Sequence, residues 1–151
     1  MSLMNKYPRL TDLEAPAARR IPKFVFAYLD SGTGQDQAKD HNRAYLDGIE
    51  LTPQFMRGRV NPDLTTKLFG NSYNAPFGVA PIGLSSLIWP GAESILGAAA
   101  KAHGFPYILS TVAGVSLEMV AKAAGNMAWF QLYAPKDRDV MADLLRRAKE
   151  N

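Results

Sequence analysis

The sequence predicts an α/β fold built on short parallel strands. Its second half alternates apolar runs with helical patterns three times in succession. The runs at 75–81, 106–111 and 127–133 are apolar without strict alternation, as expected of strands buried on both faces. The connections are short, and right-handed crossovers of this kind build parallel sheets. A doubly wound open sheet and a (β/α)8 barrel both satisfy this pattern.

The elements follow in order. Residues 1–20 carry Pro8, Pro16 and an Ala-Ala-Arg-Arg run without a steady period, so an irregular segment is expected there. Residues 21–74 form a second region. Pro22 suits a first helical position, and Phe24, Val25, Tyr28 and Leu29 fall at helical spacing up to Gly32 and Gly34. A more polar helix is expected over about 35–46, closed by Gly48. Residues 64–76 predict two short strands around the turn-forming pair Gly70-Asn71. Residues 75–151 hold the βα units. The first strand covers 75–81; a Gly/Ser loop and a helix over 92–103, ended by Gly104, follow it. A second strand covers 106–111, and Ser116 caps a helix over 117–124 that Gly125 ends. The third strand is 127–133, and Lys136 to Asp139 opens a last helix, acidic at its start and basic at its end.

Composition narrows the functions. The 151 residues contain no cysteine, which removes disulfides, thiolate nucleophiles and cysteine zinc sites. The net charge of +3 is spread out apart from Arg19-Arg20 and Arg146-Arg147, so no nucleic-acid stripe is expected. The longest apolar stretch, 75–89, is interrupted by Pro76, Gly78, Pro81 and Gly83, which excludes a membrane span there. The first thirteen residues lack the apolar core of a signal peptide, and a cytoplasmic location is expected, compatible with peripheral membrane association. His41 and His103 stand alone, so no metal site is expected.

In either architecture, ligands meet the carboxyl ends of the strands. Pro81, Ile82 and Gly83 leave the first strand there, as a simple turn or as backbone that a flat ligand can approach. Ser110 is either a hydrogen-bond donor or a turn residue. Gln131 and Tyr133 sit two apart after an apolar strand, so they share one face and suit a polar heterocycle and a small acid. Tyr28 reads by period as a core aromatic, and Glu93 and Asp137 as charges at helix starts. Arg57 and Arg59 could meet an anion but read as ordinary surface arginines. No P-loop, dinucleotide fingerprint or nucleophile elbow is present.

Five segments, in order and spacing, resemble the FMN-dependent 2-hydroxy-acid dehydrogenase and oxidase family, which includes L-lactate dehydrogenase, mandelate dehydrogenase and glycolate oxidase. They are Phe26 to Gly32, Asn42-Arg43, Ala75 to Leu84, Leu109 to Thr111, and Trp129 to Tyr133 followed by Lys136-Asp-Arg138. The resemblance implies an incomplete TIM (β/α)8 barrel: its first three βα units, preceded by a helical N-terminal segment and a small β-hairpin. A TIM barrel takes roughly 250 residues, so three units cannot close one. It implies FMN as cofactor, with Pro81, Ile82 and Gly83 along the flavin and Ser110 and Gln131 hydrogen-bonding its ring. It also implies a small 2-hydroxy acid as substrate, bound by Tyr28 through its carboxylate and by Tyr133 near its hydroxyl, and a homo-oligomer. The base histidine, the arginine pair and a flavin-side lysine belong to the family's second half, and neither His41 nor His103 matches them. Ile82 stands where several oxidases carry threonine, which looks more like the lactate dehydrogenase branch. Two other readings compete: an inactive barrel piece that self-associates or pairs with a complementary fragment, and a different flavin- or phosphate-binding barrel enzyme.

Overall fold

The computed structural model describes residues 3–56, 58–59 and 61–151. The chain forms two compact units, 1–61 and 62–151. The hairpin region expected with the N-terminal helices therefore belongs to the second unit.

The first unit is helical. Residues Leu3–Lys6 form α1, a 3-10 turn spans Leu10–Leu13, and Glu14–Arg20 form α2. This corrects the irregular segment expected there: Pro16 falls in the first turn of α2, where a missing N–H costs nothing. Helix α3 is Lys23–Asp30, with Pro22 before it as expected. Of its apolar residues Val25 is buried, whereas Phe24, Tyr28 and Leu29 are exposed, so Tyr28 is no core aromatic. Helix α4 runs Gln37–Asp47 and ends at Gly48. The joint between α3 and α4 is polar: Gly32 N–H donates to Asp36 Oδ1 at 2.6 Å, and Lys39 Nζ to Asp30 Oδ1 at 3.0 Å.

The second unit opens with an antiparallel hairpin, β1 (Thr66–Leu68) and β2 (Asn71–Tyr73), in register Leu68↔Asn71. Its two-residue turn is Phe69-Gly70, both at positive φ (50° and 82°), as a type I′ turn requires. The sequence pair Gly70-Asn71 is thus displaced by one residue from the true turn. Phe69 and Tyr73 both meet the Trp129 ring, at 5.5 and 6.1 Å between centroids, and the Trp129 indole N–H donates to the Tyr73 hydroxyl at 3.0 Å.

The expected first strand at 75–81 is not a regular strand. Only Val79 pairs, in a parallel bridge with Tyr107: its N–H donates to Pro106 O at 2.8 Å, and its carbonyl accepts from Ile108 N–H at 3.1 Å. Pro76 and Pro81 have no N–H to continue the ladder. Gly78 lets the segments meet, since a Cβ there would lie 2.6 Å from Pro106 O. Next come a short helix α5 (Ser85–Ile88), which the sequence reading missed, and α6 (Ala92–His103), matching its expected limits. Strand β3 (Tyr107–Ser110), helix α7 (Leu117–Ala124), strand β4 (Ala128–Gln131) and helix α8 (Arg138–Glu150) complete the unit. Ser116 Oγ accepts from Met119 N–H as the cap of α7, and Asp137 Oδ1 accepts from Asp139 and Val140 N–H at the start of α8.

Strands β3 and β4 are parallel, pairing Tyr107↔Ala128 through Ser110↔Gln131. The core is Ala100, Tyr107, Leu109, Val120 and Ala124, with Val79, Leu96 and Phe130 packed against it. Helices α6 and α7 approach closely at Gly97, where a Cβ would lie 3.2 Å from that of Ala124. The described residues therefore form an α/β arrangement with no closed barrel among them, and none of their helices is long and apolar enough to cross a membrane.

Candidate functional site

The parallel register sets Ser110 and Gln131 side by side as the last residues of β3 and β4. Ser110 is buried, and its hydroxyl donates to Gln131 Oε1 at 3.2 Å while accepting from Val112 N–H at 3.3 Å. With its oxygen engaged, the Gln131 amide presents its nitrogen as a donor. Tyr133 lies two residues past β4 and is 60% exposed. Its N–H donates to Thr111 Oγ1 at 2.9 Å, and the same hydroxyl donates to the Gln131 carbonyl oxygen at 2.5 Å.

Pro81, Ile82 and Gly83 lie beyond the Val79 bridge. The Ile82 carbonyl accepts from the buried Ser85 hydroxyl at 2.9 Å, and Leu84 N–H donates to Val112 O at 3.1 Å, which joins this loop to the one after β3. Ile82 itself is 40% exposed. The structure thus brings Ser110, Gln131 and Tyr133 together through Thr111, and ties the 81–84 segment to the same strand ends. Tyr28 is on α3 in the first unit, with 49% of its surface exposed. Arg57 lies outside the described residues.

Sequence reasoning missed Glu93. It appeared as a helix-start charge, yet it is fully buried in the first turn of α6. Its Oε1 accepts from Ser86 N–H at 3.0 Å and Gly114 N–H at 3.2 Å, and its Oε2 from the Ser86 hydroxyl. Burial pushes this carboxyl up, but the bonds from Ser86, its own backbone and Gly114 outweigh that and hold it below its ordinary value. Gly114 comes so close that a Cβ would lie 2.8 Å from Ser86 Cβ. One buried anion on α6 thereby fastens α5 to the loop after β3. Burial, and then the Glu93 charge, push the Tyr107 phenol up to about 12. A signal for Glu93 existed: it shares the spacing i, i+4, i+7 with Gly97 and Ala100, the buried stripe of α6.

Fold and strand ends together define an α/β chain whose polar side chains gather at the carboxyl edge of its two-stranded parallel sheet. The FMN-dependent dehydrogenase family pattern matches residues 17–151. An L-lactate dehydrogenase of Ectopseudomonas mendocina is 40% identical over 139 residues, covering 92% of this chain and 37% of that protein. An L-lactate dehydrogenase of Pseudomonas putida is 39% identical over 92% of this chain and 36% of its own length. Among solved structures, mandelate oxidase superposes with a TM-score of 0.86 at 34% identity, over 95% of this chain and 42% of that one. An active mutant of (S)-mandelate dehydrogenase gives 0.84 at 28% identity, over 93% and 39%. The chain belongs to the FMN-dependent dehydrogenase family, whose cofactor is FMN, and it spans little more than a third of the length of these curated relatives.

Proposed function

We propose that this chain is the N-terminal part of an enzyme that oxidises a small, lactate-like L-2-hydroxy acid to the 2-oxo acid through FMN. The observation that carries the reading is the Ser110–Gln131 pair at the ends of two parallel strands, with Tyr133 tied beside it. Its polar groups fit a flavin ring, which has both donors and acceptors at its polar edge: the amide nitrogen of Gln131 donates, the Ser110 oxygen has one acceptor lobe left, and the backbone at 81–83 adds carbonyl acceptors. A bound FMN would supply the acceptor for the hydride equivalent leaving the substrate. Ser110 and Gln131 would orient the ring, the Gln131 amide N–H would stabilise charge on its polar edge, and the backbone of Pro81, Ile82 and Gly83 would lie along it. Tyr28 donates its phenol to the substrate carboxylate, and Tyr133 contacts the substrate near its hydroxyl. The proton of that hydroxyl is taken by a base from the family's second half, not by His41 or His103.

In this reading the Val79 segment, β3 and β4 begin a TIM barrel, preceded by the hairpin and the N-terminal helices. The enzyme is cytoplasmic and homo-oligomeric. One edge of β4 has no partner strand among the described residues. That favours, for the chain by itself, association with another copy or a complementary segment.

The first test is the visible spectrum of the purified chain after incubation with FMN and desalting. Flavin bands are expected to remain with the wild type and to be lost with Gln131→Ala, while L-lactate or L-mandelate supports no measurable reduction of an acceptor. A colourless wild type would count against flavin binding by these residues, and steady turnover would count against an external base.

A further inference from the structure

Thr111 stands one residue past β3, where the parallel ladder stops at Ser110↔Gln131. Its hydroxyl makes the next rung. It donates to the Gln131 carbonyl at 2.5 Å and accepts from Tyr133 N–H at 2.9 Å, so its donor and one acceptor lobe serve the two residues flanking Leu132. Beside it, Ser110 holds the Gln131 side chain at 3.2 Å. The last residue of β3 and the one after it thus fix Gln131 at both its amide and its main chain.

We propose that Thr111 is a positioning residue: its hydroxyl holds the backbone of Gln131 and Tyr133 so that both side chains leave the sheet in fixed directions. What those side chains touch rests on the flavin reading above; the positioning itself does not. A parallel strand end has no further backbone partner in register here, and a β-branched hydroxyl is a compact group that can both donate and accept across this gap. Valine keeps the shape and removes both bonds. Serine keeps the bonds and removes only a methyl.

Thr111→Val and Thr111→Ser in the 151-residue chain separate these contributions. Amide hydrogen exchange is measured at Tyr133 and, as a control for the sheet, at Leu109. FMN affinity is read from quenching of flavin fluorescence. In Thr111→Val, Tyr133 exchange is expected to quicken by about tenfold and FMN to bind about tenfold more weakly, the size expected of a lost hydrogen bond. Leu109 stays protected, and Thr111→Ser restores both values. Unchanged Tyr133 exchange in Thr111→Val would overturn the proposal, and so would lost protection that leaves FMN affinity untouched. A wild type that quenches no flavin would count against the flavin reading instead, and exchange at Tyr133 would then decide the role of Thr111.

Discussion

Glu93 illustrates how a charged side chain can be the most structural residue of a site. It has no exposed surface, and its carboxylate is held by donors from α5 and from the loop after β3. Replacing it with alanine strands Ser86 and Gly114 N–H in a dry place, and the expected loss is about 3 kcal/mol in urea unfolding. Glu93→Gln keeps the accepting oxygen and should lose less than half of that; equal losses would mean that the charge matters more than the bonds. Residues of this kind are hard to read in sequence because their meaning lies in distant partners. Gln131 and Tyr133 stand out in the sequence as polar groups at the end of an apolar strand, whereas Ser110 reads equally as a turn residue until the family resemblance singles it out. Thr111 was visible only as part of a motif, and its two bonds depend on the register of β4.

At the scale of elements, propensity and capping located what local chemistry determines. Helices α6 and α7 begin and end where Gly104, Ser116 and Gly125 require. The segment around Val79 has the apolar content of a strand, but its prolines forbid the ladder, and only Val79 pairs. Helix α5 is a single turn, too short to leave a period. Between α7 and α8, Arg147 Nε and Nη2 donate to the two Glu118 oxygens at 2.6 and 2.9 Å. These bonds, foremost among several, hold the Glu118 carboxyl down to about 2, from an ordinary 4.5. A depressed carboxylate contributes stability above its unfolded pKa and loses it as pH falls through the folded one. Wild type should therefore exceed Glu118→Gln in urea midpoint above about pH 5, with the gap closing between pH 4.5 and about 2. A gap that persists at pH 2 would assign the difference to packing.

For the whole molecule, family and parallel topology were legible because five motifs keep their order over most of the chain, whereas the division at residue 61 was not, since the hairpin's attachment is tertiary. That attachment also bears on time. Phe69 occupies a left-handed turn position where asparagine would be favoured, at a conformational cost on the order of 1 kcal/mol. Its ring finds Trp129 only sixty residues later. Two three-residue strands are too short to persist alone in water. The hairpin, though made earlier on the chain, should thus be among the last parts to close during folding. Pulse-labelled exchange during refolding checks this: amides of β3 should gain protection before those of Leu68 and Asn71, and Phe69→Asn should narrow the interval. Early protection of the hairpin would show instead that it folds by itself and waits for the sheet.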